Sequence, residues 1–531
     1  MDGLRWLQKA TTHSTHCSDS ETGSQITTSQ SIQLAIFTIF LIYPLYSYYQ
    51  WRLGNHFDKA FGEQHGCLPM EARLPYRWPF ALDILKLQYD ALPSQRLLAF
   101  QSQYFDKVGQ NMTFDLFGKT GYMTTDPKNI EAILCTYFED YGMGSRRPGL
   151  FPLLGEGIFT QDGRPWRHSR EMLRRQFARM NYQDMSAFDD PINRLIDELS
   201  SASGVVDLQP AFFRFTLATT TALIFGEAVG DLDDDDQDTF SKSFDYASYI
   251  CAIRLRLADF CWAYLPSKFR RSCATVKRYA NHFVQRALKD VEENGEEVAR
   301  ERHLFILDLY KELQNPGLVC DQLVNVLIAG RDTTACLLSW TFYCLVRHPD
   351  VLQHLRREIQ AMTESPQGLT RAQILKLPYL KCVLNETLRL YPQLPVNVRV
   401  ATKTTMLPRG GGPDGQSPVL IPRGTGIGYS VYHMHRHTNL YGADAAVFNP
   451  SRWEDSKLAK IGPGFMPFHA GPRICLGKDF ALTEASFAIV RLIQAFPDIR
   501  LPPNASTDPI GQERQSLTIV VSSADGCKVL L

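Results

Sequence analysis

The ten residues FHAGPRICLG, Phe468–Gly477, decide how the whole chain is read. A cysteine stands behind Gly471, Pro472 and Arg473 and ahead of Gly477, at the foot of a run in which Leu482, Ala485, Ile489, Leu492 and Phe496 recur at helical intervals before Pro497. That period predicts a helix. Cys475 then sits at its amino end, where unpaired amides and the positive end of the dipole favour a thiolate. Gly471 and Gly477 remove side chains on both sides of it, so a flat group can approach the backbone. Arg473 can meet an anionic substituent on that group. A thiolate offered to a planar, anionic ligand is what haem iron requires. A structural cysteine in a glycine-rich turn is the other reading, and the rest of the chain must decide.

The 531 residues show no repeat and no low-complexity join, which points to one large domain with appendages. Lys plus Arg and Asp plus Glu both number 56, leaving no basic stripe, and nucleic-acid binding is excluded. Twelve cysteines run from Cys17 to Cys527 without a Cys-x-x-Cys pair, against a disulfide framework or a zinc knuckle and in favour of a reducing compartment. Most then act as small buried apolar groups.

Residues 1–30 form a polar tail, and residues 31–51, SIQLAIFTIFLIYPLYSYYQW, carry no charge. That length suits a transmembrane anchor, with Tyr46, Tyr48, Tyr49 and Trp51 at the interface. A buried helix or a monotopic hairpin, suggested by Pro44, is the alternative. The basic excess after the span, Arg52, Lys59, Arg73 and Arg77, puts the body in the cytosol, so the sequons at Asn111, Asn385 and Asn504 go unused. Residues 52–84 are a linker stiffened by Pro69, Pro75 and Pro79, and residues 85–531 are the catalytic domain.

From about residue 85 the pattern is mainly helical, notably over 211–225 and 318–345. Strands are expected only at 396–402, 419–421, 425–432 and 517–521. The acidic run at 231–238 reads as a solvated loop. His433, His435 and His437 share a side only on a strand and lack a fourth ligand, so they read as surface and packing histidines.

Two further strings carry chemistry. In AGRDTT, Ala329–Thr334, an acid and a hydroxyl interrupt a helix; Thr333 can bond back to the carbonyl of Ala329 and bend it beside Gly330, opening a polar pocket in an apolar wall. In NETLR, Glu386 and Arg389 are three apart and share a helical face.

With these motifs in order, the chain resembles the cytochrome P450 family from about residue 60 to 531: FHAGPRICLG matches the haem-thiolate signature F-x-x-G-x-R-x-C-x-G. The resemblance implies a mainly α fold with small β-sheets and haem b as cofactor. It makes Cys475 the iron ligand and gives Phe468, Gly471, Arg473 and Gly477 the signature's haem-binding roles. Asp332 and Thr333 become a catalytic proton relay that lets the O–O bond of dioxygen break. Arg452 of FNPSRW joins Glu386 and Arg389 in a buried structural network. GRPWRHSR supplies Trp166 and Arg170 as a W-x-x-x-R element at a haem propionate, with Arg399 a third arginine there.

The implied activity is NADPH-driven monooxygenation of a lipophilic substrate. Electrons come from a separate NADPH-cytochrome P450 reductase, with cytochrome b5 as an optional second donor, at the endoplasmic reticulum membrane. GCLP near residue 66, AGRDTTA and VYHMHRHTNLYGADA are similar to fungal microsomal hydroxylases of alkanes and fatty acids, whose relatives also tailor secondary metabolites. The expected pocket walls are 141–159, 326–333, 395–398 and the turn at 522–526, with Arg146 and Arg147 the only arginines there suited to a carboxylate. A haem-thiolate isomerase or dehydratase working without O2, or a non-catalytic haem-binding membrane protein, are the rival readings.

Overall fold

The computed structural model describes residues 49, 53–116, 119–179, 185–226, 234–362, 370–454, 458–506 and 508–531. The expected anchor at 31–51 lies almost wholly outside them, and among the described residues no helix is long and apolar enough to cross a membrane. Gly62–Leu531 forms one compact unit, separate from the residues before it.

Eight helices position the site: α1 (Arg146–Leu154), α2 (Gly163–Arg179), α3 (Leu208–Phe225), α4 (Asp234–Arg256), α5 (Ser267–Asn294), α6 (Pro316–Arg347), α7 (Pro378–Leu390) and α8 (Lys478–Ala495). Further helices cover the core, among them Ser186–Ser200, Glu296–Leu313 and Pro349–Met362. The 32 residues of α6 are apolar on nearly every side, which suits a helix surrounded by others. Asn315 caps its first turn, accepting from the Leu318 amide at 3.1 Å, and Pro316 occupies the first helical position, where no amide is needed.

Around α6 the core is closed by aromatic contacts. Trp340 stacks on Tyr391 with centroids 3.9 Å apart and planes within 3°, and its indole N–H donates to the Val521 carbonyl at 3.0 Å. Pairs of this kind contribute about 0.5–1.5 kcal/mol beyond their buried area.

Strands β1 (Asn111–Leu116), β2 (Lys119–Thr124), β3 (Tyr141–Gly142), β5 (Val396–Ala401) and β8 (Gly426–Ser430) make one sheet in the order β1-β2-β8-β5-β3, with only β2 and β8 parallel. Three two-stranded sheets complete the β structure: β4 (Val205–Asp207) with β11 (Lys528–Leu530), β6 (Thr405–Gly411) with β7 (Ser417–Ile421), and β9 (Gln515–Leu517) with β10 (Val521–Ser523). The mainly helical class with small sheets is therefore present, with more strands than the sequence led us to expect.

Three expectations need correction. The strand placed at 517–521 is a tight hairpin, its turn at Thr518–Val520. The acidic run is not wholly a loop, since Asp234–Asp238 open α4. The histidine run lies on a short helix, Val431–Met434, and its continuation, where His433 and His435 are packing rather than surface residues. Both are hydrogen-bonded, His433 beside the Ser430 hydroxyl at 2.7 Å and His435 accepting from the Met466 amide through Nε2 at 3.0 Å.

Candidate active site

The Phe468–Gly477 loop folds back on itself through the Cys475 amide, which donates to the Phe468 carbonyl at 3.0 Å. Its helix begins three residues later than expected, at Lys478 with Gly477 as cap, so Cys475 precedes the helix rather than opening it. Cys475 is exposed on the wall of a cavity. The protein packed around that cavity desolvates the thiol and raises it above its ordinary value, opposed by the Gly477 amide and by the charges of Arg170 and Lys478.

The two glycines do different things. Gly471 has φ of +66°, and a Cβ there would lie 1.9 Å from the Leu134 carbonyl, so it lets the loop press on the turn Ala132–Thr136 rather than admitting a flat ligand. Gly477 has only Phe177 within ordinary contact distance and lines the cavity, where the missing side chain leaves free space.

The cavity, about 220 Å³, lies between this loop and α6. Val326, Ala329, Gly330 and Thr333 of α6 line it, as do Leu150 and Leu154 of α1 and Phe159 beyond it. The Thr333 hydroxyl donates back to the Ala329 carbonyl at 2.6 Å. Gly330 allows α3 to approach, since a Cβ there would sit 2.6 Å from the Thr220 hydroxyl. Asp332 is 5% exposed, and burial raises its carboxyl to about 6 against the opposing charge of Arg331, whose Nη1 donates to it at 3.0 Å. Of the expected walls, 141–159, 326–333 and 395–398 contribute residues, but the 522–526 turn does not; Ile519 and Val520 take its place, because the hairpin turn falls there.

Four guanidinium groups gather at the cavity edge. Arg170 donates to the Ile474 carbonyl at 2.8 Å, and its guanidinium lies 5.8 Å from the buried Trp166 ring. Arg473 lies 4.2 Å over the same ring and donates to Asp162 at 2.7 Å. Arg399 donates to Asn397 Oδ1 at 3.2 Å and to the Val398 carbonyl at 2.9 Å. Arg146 also donates to Asn397 Oδ1, at 3.1 Å, while its Nε is buried without a partner. Arg147 instead pairs with Glu156 at 2.6 Å, so that of these two neighbours Arg146 lines the cavity.

Burial first, and mutual repulsion second, bring Arg146 down to about 10; Arg473 falls to about 9 for the same reasons although Asp162 opposes them. His469, beside Asn397, falls to about 3 from burial and the charges of Arg399 and Arg146. Four cations facing one carboxylate are an incomplete ion cluster. A planar ligand bearing two carboxylates and a metal that takes a thiolate would complete it, which is the donor set of haem b. Sequence reasoning put Arg146 in the pocket wall as an arginine suited to a carboxylate but not in this cluster, and it missed His469; only the fold sets both beside Arg399.

Away from the cavity, Glu386 accepts from Arg389 at 2.8 Å through both oxygens, from Arg452 Nε at 3.0 Å, from the Trp453 indole at 2.9 Å and from the Asn449 amide at 2.9 Å. Arg389 also donates to the carbonyls of His435, Ala445 and Val447, and Arg452 to Asp444 at 2.8 Å. A second buried acid, missed in the sequence, is Glu484 of α8. It accepts from the Thr219 hydroxyl, lies against Thr334, and is pushed up to about 8 by burial.

Comparison with known proteins places the chain in a family. The cytochrome P450 family profile matches residues 73–522. A cytochrome P450 of Arthroderma benhamiae is 40% identical over 93% of this chain and 98% of its own length. Cytochrome P450 52A13 of Debaryomyces hansenii is 39% identical over 89% of this chain and 93% of its own, and cytochrome P450 52A5 of Candida maltosa is 42% identical over 78% and 81%.

Proposed function

We propose that this chain, which belongs to the cytochrome P450 family, hydroxylates C–H bonds of a long-chain aliphatic substrate while anchored to the endoplasmic reticulum membrane. The monooxygenase class and haem b come with that membership. The site roles, the anchor at 31–51, the linker at 52–84, the domain at 85–531, NADPH-cytochrome P450 reductase and the auxiliary cytochrome b5 are our reading.

One observation carries it: a single cavity has Cys475 on one wall, Thr333 on the other and uncompensated arginines at its edge. Haem b held there by the Cys475 sulfur supplies the electron transfer to dioxygen. The overall change, R–H with O2, two electrons and two protons giving R–OH and water, is balanced by electrons from NADPH through the reductase.

The protein's own part is holding and shielding. Arg170, Arg399 and Arg473 bind the propionates, with Arg146 beside them and the buried Trp166 ring fixing the plane of Arg473. The Phe468 carbonyl keeps the Cys475 amide turned inward, so the sulfur stays aimed at the cavity. Thr333 and Asp332 hold and pass protons. Leu150, Phe159, Val326, Leu394 and Ile519 make an apolar wall that orients a hydrocarbon chain and excludes water.

Two surfaces support the cellular placement. Phe260, Trp262 and Leu265, around the 3-10 turn Ala258–Ala263, are 51%, 75% and 42% exposed, a composition suited to a membrane interface. Arg164 is exposed on α2, the helix whose Arg170 touches the cysteine loop, and Arg167 and Arg174 beside it pair with Glu139 and Glu171; the arginine excess of this helix favours an acidic electron-donor protein.

The deciding experiment titrates the ferric protein with a long-chain fatty acid, an alkane and bulky polyketides or terpenoids, followed by absorbance. Linear chains are expected to shift the haem from low to high spin. A response only to bulky compounds moves the substrate to secondary metabolism, and turnover without NADPH or reductase overturns the monooxygenase assignment in favour of an isomerase or dehydratase. Cys475→Ala is expected to lose the thiolate-type reduced carbon monoxide spectrum.

A further inference from the structure

We propose that the cleft between α3, α4 and α6 is the inlet through which protons reach Asp332 from water, and that Arg331, tethered to Asp245, is the positioning residue that closes it. The proposal rests on the reading of Asp332 and Thr333 as a relay.

The cleft, about 620 Å³, is separate from the cavity over Cys475. Arg331 and Asp332 line it, whereas Thr333 lines the inner cavity, so consecutive residues of α6 face the two spaces. The Arg331 guanidinium lies 5.0 Å from the Phe213 ring of α3 and 5.1 Å from the Phe244 ring of α4. From that clamp its Nη1 donates to Asp245 at 2.6 Å and to Asp332 at 3.0 Å.

The two ends of this bridge differ. The side chains of Arg331 and Asp332 are 6% and 7% exposed, that of Asp245 59%, and an exposed carboxylate holds its partner weakly. The outer bond is therefore the one that opens. Two polar groups on the cleft wall, Arg331 Nε and the 5%-exposed Ser248 hydroxyl, are buried without partners, and a file of water would satisfy both. Asp245 and Ser248 are one turn apart on α4 and share a face.

The inlet is also linked to the inner cavity. Arg254 of α4 donates to the carbonyls of Pro148 and Gly149, in α1, and α1 lines that cavity through Leu150 and Leu154. A substrate pressing on α1 thus acts on the helix that carries Asp245. In each turnover two protons pass from cleft water to the Asp332 carboxylate and on through Thr333 to the oxygen atom that leaves as water. Asp332 ends each transfer ionised, as it began.

Asp245→Asn is the test, with Ser248→Ala as a second variant. Removing the Asp245 charge turns Arg331 wholly towards Asp332. The groups acting on that carboxyl are then Arg331 and Cys336 of α6, while Lys242 of α4 and Arg214 of α3, the latter paired with Glu198, line the cleft beyond it. Product formation is expected to fall about tenfold, with a larger solvent deuterium isotope effect and a larger share of NADPH spent on hydrogen peroxide. The Asp332 carboxyl infrared band, identified by its loss in Asp332→Asn, is expected to vanish at a lower pH than in the parent. Ser248→Ala is expected to raise the isotope effect alone. If isotope effect, peroxide share and infrared midpoint all match the parent in Asp245→Asn while Asp332→Asn changes the first two, the inlet is wrong and the relay stands. If Asp332→Asn also changes neither, the relay is wrong and the inlet falls with it.

Discussion

Two clusters of buried charge stand in contrast. Around Glu386 every charge meets its opposite inside the chain: Arg389 and Glu386 are both 0% exposed, and the spare donors end on backbone carbonyls or Asp444. Around Arg473 the chain assembles four guanidiniums and one nearby carboxylate. The first cluster is complete without help and serves the fold; the second is complete only with an anion that the chain does not contain. A buried charge set that closes on itself marks architecture, and one left open marks a ligand.

The largest effect is expected where the closed cluster is broken. Glu386→Gln strands the fully buried Arg389 and should cost about 3–5 kcal/mol, read as loss of soluble protein or a collapsed thermal midpoint with or without haem. The glycines repeat the contrast on a smaller scale. Gly471→Ala forces a Cβ towards the Leu134 carbonyl at a positive φ and should cost about 1–3 kcal/mol in the apoprotein, while Gly477→Ala leaves apoprotein stability alone and weakens haem binding.

Breaking the open cluster should have the opposite sign in the two states. Arg399→Gln relieves repulsion, so the apoprotein midpoint is expected to stay or rise, while haem affinity falls about tenfold, near 1.4 kcal/mol, measured by transfer of haem to an acceptor protein. A drop in both would show that the arginines serve the fold instead.

Glu484 sharpens the rule from the other side, as a buried acid without a cation that stays protonated. Its folded value of about 8 exceeds the ordinary 4.5, so the stability it contributes is intact below about 4.5 and declines by about 1.4 kcal/mol per pH unit up to about 8. Glu484→Gln should match the parent near pH 5 and exceed it in thermal midpoint near pH 8.

Of the closed cluster, the Glu386 and Arg389 pair was legible because they are one helical turn apart, while Arg452 came only with the family resemblance; the cysteine loop was legible because its glycines, arginine and cysteine are crowded into ten residues. Arg146 was not, since it joins the cluster through Asn397, 251 residues away, and no local period reports such a meeting. The β1–β2 hairpin was only half legible: Met112, Phe114 and Leu116 alternate with polar residues along β1, but its partner, KTGYMT, does not alternate. Asp332 was visible as chemistry, but the Arg331 to Asp245 bridge over it required the packing of α4 on α6.

The buried pair His433 and His435 gives the fold a history as well as a shape. Burial, with Arg389 and Arg436 beside His435, holds both near 3, far below the ordinary 6.5. Their folded forms stay neutral while the unfolded chain takes up protons, so each histidine withdraws about 1.4 kcal/mol for every pH unit below 6.5. Acid therefore loads the junction that joins the Met466 amide to the Glu386 cluster through His435, and the thermal midpoint is expected to fall as the pH drops below 6.5.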